Sequence, residues 1–183
     1  MHLIMNLKEF KPALWLIAKF FIAYIVLTLL YSQYLQHFSE LKQIADPFTA
    51  WVAESTAQVM QWLGFNANSE QIAGETFRRF LLNDRYVCII NEGCNAIAIM
   101  IIFVSFIIAF SKKLLPSFLY SVGGVILLHF TNITRIAILN YIFAYHAEYS
   151  ELAHDYLFPA IIYGMVVVLW IIWIVFFVLK NKN

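Results

Sequence analysis

The sequence predicts an all-α integral membrane protein, a polytopic helix bundle with about four transmembrane helices. Hydrophobic residues make up 62% of its 183 residues and charged residues 13%, whereas soluble domains average about 45–50% and about 25%. A chain this short cannot bury so much apolar surface in a globule, because small domains have a large surface for their volume. The composition therefore excludes a soluble monomer and a disordered chain. A net charge of +1 offers no basic excess for binding a nucleic acid.

Four apolar runs are each close to the roughly 20 residues that a bilayer core requires. They cover residues 13–31, 93–110, 114–132 and 156–179 of a single membrane domain, 1–183, and leave 32–92 as one loop. None alternates apolar and polar residues, so the spans are helices rather than barrel strands. The first run is too long for a signal-peptide core and no cleavage site follows it, so we interpret it as a retained span.

Lysines predict the orientation of the chain. With four spans, six of them fall on one side of the membrane: Lys8, Lys11, Lys112, Lys113, Lys180 and Lys182. The positive-inside rule places this side, and with it both termini, in the cytoplasm. The loop of residues 32–92 is then extracytoplasmic.

The third apolar run is longer than one crossing. It continues from residue 114 to residue 145, which is about 48 Å as a helix. A separate crossing by residues 136–145 would be too short and would put the C-terminal lysines outside. We therefore expect the chain to reach the outer interface near residues 131–135, with the rest lying along the interface or inside the bundle.

A helix is predicted in the outer loop. Asp46 caps its first turn, Pro47 occupies that turn, and apolar residues follow at helical spacing until Gly64. Trp51 and Trp62 share one face, which is typical either of a helix in the membrane interface or of one packed on the bundle.

A small hairpin is predicted later in the same loop. Residues 76–82 and 85–90 are strand-like and flank Asn83–Asp84, a turn signal of the kind that joins antiparallel strands.

Cys94 is the candidate nucleophile. It lies at the predicted start of the second span, with Glu92 and Asn95 as polar neighbours. A thiol at a helix N-terminus interacts with the helix dipole, which favours the nucleophilic thiolate. Cys88 falls on the same outer side, where a Cys88–Cys94 disulfide is also allowed. The chain has no CxxC pair, which argues against a redox relay.

Arg135 and His154 are the other two candidates. Arg135 ends an apolar run in which His129, Asn132 and Arg135 lie three apart and share roughly one helix face. The alternative is an arginine that anchors the end of a helix. His154 precedes the last span, where two nearby carboxylates can orient its imidazole; the alternative is a solvated loop histidine. His129, one turn deeper, is a competing base.

Helix geometry brings Cys94, Arg135 and His154 to one depth. Counted from the cytoplasmic lysines at the helical rise, they lie about 27, 33 and 39 Å away, near the outer interface. A thiolate that attacks a carbonyl, an imidazole that moves protons and a cation that stabilises an oxyanion are suited to acyl transfer. Glu92, Asn95 and Asn132 are candidates for support or substrate binding. No cluster has metal-ligand spacing, and we expect no metal and no cofactor.

At these residues the chain resembles the exosortase/archaeosortase family of membrane cysteine transpeptidases, and most of all its short exosortase F branch. The resemblance covers roughly residues 70–175. Three segments carry it: Glu92-Gly93-Cys94-Asn95-Ala96, Asn132-Ile133-Thr134-Arg135 and Ala153-His154-Asp155. The chain departs from many members by Asn95-Ala96, where they have Ser-Gly, and by having only four clear spans.

The resemblance implies a cysteine peptidase and transpeptidase of the bacterial inner membrane, with its active site at the periplasmic face. Its partners would be exported proteins that end in a sorting signal, which consists of a short motif, a transmembrane helix and a basic cluster. Cys94 would form a thioester with the new carboxyl end, His154 would move protons, and Arg135 would hold the oxyanion. An acceptor would then receive the carboxyl end. Membrane lipids surround the chain and no nucleic acid is expected.

Other classes of protein also fit the composition. A non-enzymatic assembly or scaffold protein would need the apolar faces but neither Cys94 nor His154. A thiol–disulfide oxidoreductase would use Cys88 and Cys94 and would form a mixed disulfide with its partner. A channel or transporter fits less well, because the spans offer only a few serines and glycines at mid-membrane.

Overall fold

A computed structural model of the chain describes residues 7–40 and 42–179, with side chains from residue 10 onward. Lys180 and Lys182, which contribute to the predicted orientation, lie outside the described residues. The elements in chain order are α1 (Leu7–Ser39), α2 (Pro47–Trp62), β1 (Ala67–Gln71), β2 (Arg78–Leu82), β3 (Arg85–Ile90), α3 (Ile97–Phe110), α4 (Leu114–Tyr145), α5 (Ser150–Leu152) and α6 (Phe158–Trp173). Two turns flank α5, a 3₁₀ turn at Ala147–Tyr149 and a π turn at Ala153–Leu157, and a π segment, Ile174–Leu179, continues α6.

Within residues 7–40 and 42–179, three helical runs are long and apolar enough to cross a membrane: Phe10–Ser39, Leu114–Tyr145 and Ala147–Leu179. The chain is therefore a polytopic helical membrane protein, as predicted. The second predicted span differs, because α3 has 14 residues and begins at Ile97 instead of residue 93. The helix cannot begin earlier, since the backbone of Ala96 is left-handed, with a φ of 63°, and residues 92–94 form a turn.

α4 is one continuous helix up to Tyr145. Of the two expected paths for the residues after 135, along the interface or inside the bundle, the structure has the second, because these residues continue the helix and are partly buried. The physical reason is burial: Ile136 and Ala137 pack with Phe80 and Ile90 of the sheet in one apolar cluster. The end of α4 thus packs under α2 and the sheet.

The predicted hairpin is confirmed and belongs to a larger sheet. β2 and β3 pair antiparallel across Asn83 and Asp84, which have positive φ angles of 51° and 60°, as a tight two-residue hairpin turn requires. β1, which the sequence did not predict, pairs antiparallel with β2. Ala67 lies opposite Leu82, and Gln71 lies opposite Arg78. We call α2 and these three strands the cap.

α2 has the predicted start and packs on the bundle. The Asp46 carboxylate accepts the N–H groups of Phe48 and Thr49, at 3.0 and 3.1 Å. One face is buried and comprises Thr49, Val52, Ala53, Thr56, Ala57 and Met60. Trp51 and Trp62 on the other side are 51% and 77% exposed. The helix therefore packs through one face and presents its tryptophans outward through the other.

α3 lies in the middle of the bundle, in contact with α1, α4 and α6. Phe103 and Ile107 of α3 are completely buried. The ring of Phe103 occupies the space where a Cβ on Gly124 of α4 would lie. Gly124 therefore permits the close approach of the two helices.

We expect Gly124→Ala to destabilise the bundle, because the added methyl group overlaps the Phe103 ring. Overpacking of this kind costs about 1–3 kcal/mol. Gly123→Ala is the matched control, since a Cβ there meets nothing within 4 Å. Thermal unfolding in detergent measures both variants, and equal unfolding temperatures would contradict the packing described.

Candidate active site

Cys94 lies in a tight turn between β3 and α3. Its backbone N–H donates to the carbonyl of Asn91 at 2.9 Å, and the N–H of Gly93 donates to the Asn91 side-chain oxygen at 3.0 Å. The Cys94 side chain is half-buried and packs against the apolar cluster formed by α2, the sheet and α4. The turn therefore places the thiol where the cap meets the bundle.

Two completely buried asparagines, one on α4 and one in the turn itself, fix this turn. Asn132 of α4 donates from Nδ2 to the carbonyl of Cys94 at 2.8 Å. Asn95 donates from Nδ2 to the hydroxyl groups of Tyr31 and Thr49, both at 2.9 Å. The side-chain oxygen of Asn95 accepts the first N–H of α3, also at 2.9 Å. Both predicted asparagines thus lie at Cys94, where they fix its backbone.

Arg135 follows Asn132, which binds the Cys94 carbonyl, by about one turn of α4. Its guanidinium is within electrostatic range of the Cys94 thiol and of the Tyr163 phenol. Its Nε is buried without a hydrogen-bond partner, and no carboxylate pairs with it in residues 7–40 and 42–179. A guanidinium that is partly desolvated and unpaired can interact strongly with a thiolate or an oxyanion. The alternative role of a helix-end anchor fits poorly, because α4 continues to Tyr145.

His129 does not share this site. Its ring stacks on Trp51 of α2, with the ring centroids 4.2 Å apart, whereas Asn132 and Arg135 are directed toward the Cys94 turn. Six helical positions separate His129 from Arg135 by about 120° around the axis. The predicted common face therefore holds for Asn132 and Arg135 but not for His129.

His154 is not in contact with Cys94. Its Nδ1 lies 2.7 Å from the carboxylate of Asp155, one of the two predicted partners, and its ring packs near Phe143, with centroids 6.5 Å apart. No hydrogen bond or ion pair joins it to Cys94 or Arg135 within the described part of the chain. Phe143 lies about two turns, or roughly 12 Å, beyond Arg135 along α4. The structure thus places Cys94 and Arg135 near one another and His154 near a later part of α4.

Glu92, the remaining candidate, is exposed. It lines a small cavity of about 60 Å³ together with Asp46, Thr76 and residues near the end of α1.

Cys88 has quite different surroundings from Cys94. Its thiol donates to the side-chain oxygen of Asn140 at 3.2 Å. Burial raises the pKa of Cys88 to about 12, and the bond to Asn140 offsets only part of this effect. Both cysteines are free. A thiol that stays protonated is a poor partner for thiol–disulfide exchange, which weakens the oxidoreductase alternative.

We expect a small thiol reagent at pH 8 to modify Cys94 and spare Cys88. With a pKa of about 12, only about one Cys88 thiol in 10⁴ is ionised at that pH. Labelling of Cys88 should stay far slower than labelling of Cys94 and should rise about tenfold with each pH unit above 8, as the thiolate fraction does. Peptide mass spectrometry locates the adducts, and denatured protein, in which both thiols react, is the control. Equal labelling of the folded protein, or a Cys88–Cys94 disulfide, would contradict this prediction.

Tyr31, Thr49 and Asn140 are site residues that the sequence analysis did not identify. Thr49 and Asn140 are completely buried, and each binds a residue of the segment 88–95. A polar residue on an apolar helix face is the one signal that could have indicated them. That signal does not reveal the partner, because the contact joins separate elements.

The chain matches the family model of the transmembrane exosortase over residues 8–177. No curated protein and no solved structure matches it. The matched region contains all three segments on which the resemblance depends, and it does not distinguish the branches of the family.

Proposed function

Because this chain belongs to the transmembrane exosortase family, we propose that it is a membrane-embedded cysteine transpeptidase that processes C-terminal sorting signals. Family membership indicates a transpeptidase-like sorting role for a membrane protein. The finer proposal depends on one observation: Arg135, whose buried Nε has no hydrogen-bond partner, is within electrostatic range of the Cys94 thiol and lies one helical turn beyond Asn132, which binds the Cys94 carbonyl. This pair provides a nucleophile and a charge that stabilises the intermediate it forms.

In the proposed reaction the thiolate of Cys94 attacks the scissile carbonyl carbon, and Arg135 stabilises the oxyanion. The carbon–nitrogen bond then breaks, and the departing amine takes a proton from the imidazolium of His154, which received it from the Cys94 thiol and becomes neutral. This leaves a thioester between Cys94 and the new carboxyl end. His154 next removes a proton from the acceptor, which attacks the thioester and releases the thiolate.

His154 must approach Cys94 for this sequence of steps. Its Nδ1 is held by Asp155, which leaves Nε2 free for proton transfer. Catalytic hydrogen bonds are often long in unliganded enzymes and shorten when substrate binds. We propose that the bound substrate segment lies between the two residues and that His154 closes on it.

A groove between α2 and α4 is suited to the substrate's membrane helix. Its volume is about 510 Å³, and it is lined by Phe48, Trp51, Ser55, Gln58, Val59, Trp62, Met100, Val125, Ile126, His129, Phe130, Ile133 and Thr134. On both walls these residues recur at spacings of three and four, the pattern against which another helix packs. Thr134 directly precedes Arg135, so a helix in this groove would end close to Cys94. We place the active site at the periplasmic face of the bacterial inner membrane.

The test is processing of a reporter. The reporter ends in a short motif, an apolar helix and a basic cluster copied from an exported protein of the same genome, and it is co-expressed with the chain. We expect it to lose the helix and the basic cluster and to gain the mass of an acceptor at its new carboxyl end. A reporter that stays full-length while the chain is present and folded would support the scaffold alternative instead.

A further inference from the structure

The residue that joins the Cys94 turn to α3 has a strained backbone. Ala96 adopts a φ of 63°, the left-handed region that glycine tolerates and alanine disfavours by about 1–2 kcal/mol. Ala96 occupies the N-cap position of α3, and its methyl side chain cannot cap the helix with a hydrogen bond. Strain of this kind persists only where the surrounding structure enforces it, and it is frequent at active sites.

Asn95 is the residue that enforces this conformation. Its amide makes three hydrogen bonds of 2.9 Å, to Tyr31 of α1, to Thr49 of α2 and to the first N–H of α3. Asn95 and Thr49 are both completely buried, so a lost bond would leave a polar group unpaired away from water. The turn is thereby fixed to α1 and α2 immediately after Cys94.

Thr49 is itself held firmly. Its N–H donates to the Asp46 carboxylate at 3.1 Å, which also accepts the hydroxyl of Tyr34 at 3.1 Å. Two tyrosines one turn apart on α1 therefore bind the beginning of α2 and the residue after Cys94. Movement of α1 against the cap would reach the thiol through Asn95.

We propose that Tyr31 and Thr49 are positioning residues of the active site, which hold Cys94 beside Arg135 through Asn95 and the strained Ala96. Their importance for catalysis rests on the proposed function. Their effect on the position of the thiol does not, because it can be measured without any substrate.

The experiment measures how strongly Arg135 influences the Cys94 thiol. The rate of Cys94 alkylation by iodoacetamide is determined by mass spectrometry in the full-length protein, with and without Arg135→Gln. In the wild-type background we expect Arg135→Gln to change this rate by a factor of about ten, within the usual range of coupling between neighbouring groups. In the Thr49→Val background the factor should fall to about two or less, because the thiol is no longer held at the guanidinium.

Matched variants separate positioning from folding. Thr49→Ser retains the hydroxyl and should restore the full factor. Thr56→Val removes a second buried hydroxyl from the same face of α2, one that bonds only within its helix, to the carbonyl of Val52, and it should leave the factor unchanged. If Thr49→Val does not fold, Tyr31→Phe replaces it in the same measurement, because Tyr31 is only half-buried.

Three outcomes decide the proposal. A smaller factor in Thr49→Val or Tyr31→Phe, with the full factor in Thr49→Ser and Thr56→Val, supports it. The same factor in Thr49→Val as in the wild type overturns it, and so does a wild-type rate that Arg135→Gln leaves unchanged. If the factor behaves as expected but the reporter is never processed, the positioning role stands and the proposed function fails.

Discussion

Replacing Cys94 with alanine should reduce reporter processing by at least about 10³-fold, the loss typical of removing a covalent nucleophile. The proposed thioester cannot form at this position without the sulfur. The rate of reporter cleavage in membranes, normalised to the amount of protein, measures the effect.

Cys88→Ala is the matched control for this variant. Cys88 is the other free cysteine and bonds to Asn140, so its loss should change the processing rate only a few-fold through packing. Full activity in Cys94→Ala would disprove the nucleophile. Equal losses in both variants would instead indicate a reaction that needs two thiols.

Arg135→Gln should lower kcat by about 10²–10³-fold, because removing one group that stabilises an oxyanion has an effect of this size. The guanidinium interacts mainly with charge that develops during the reaction, so KM should change little. Arg135→Lys keeps the charge but not the planar fork of donors, and its kcat should lie between those of the wild type and Arg135→Gln. Steady-state kinetics with the purified enzyme and reporter separate the two constants.

Arg85→Gln provides the comparison for Arg135. Arg85 begins β3 and is exposed, so its removal changes the net charge equally without affecting the Cys94 turn. We expect nearly wild-type kinetics from it. A rise in KM with unchanged kcat in Arg135→Gln would show that Arg135 binds the substrate instead of stabilising the oxyanion.

Local signals in the sequence predicted the local elements well. The Asp46 cap and the Asn83–Asp84 turn depend on residues close together in the chain, and both are present in the structure. β1 was not predicted and the path of the residues after 135 was left open, because each depends on distant partners. β1 pairs with β2, and the end of α4 packs under the sheet.

The sequence predicted the candidate site residues from their depth in the membrane. Counting helical residues placed Cys94 and Arg135 at a common level, and the structure brings them together. The count assumed that the helix extends to Cys94. In the structure α3 starts at Ile97, and a turn connects Cys94 to it. Depth in the membrane does not determine where a residue lies within the plane of the membrane. His154 can therefore be predicted at the depth of Cys94 and Arg135 although its contacts are with Asp155 and Phe143.

The contacts of Asn95 show a further limit of sequence reasoning. The polar residue beside the cysteine was recognisable, but its partners come from α1 and α2, far away in the sequence. Such pairs depend on how helices pack, which helical periodicity alone does not specify.

Trapping of the covalent intermediate tests the central claim most directly. The purified enzyme is incubated with the reporter in liposomes without an acceptor, quenched in acid and analysed by mass spectrometry. We predict an adduct that links the new carboxyl end of the reporter to Cys94 as a thioester and that hydroxylamine releases. Cleaved reporter without any adduct, or with an adduct on another residue, would contradict the mechanism proposed for Cys94.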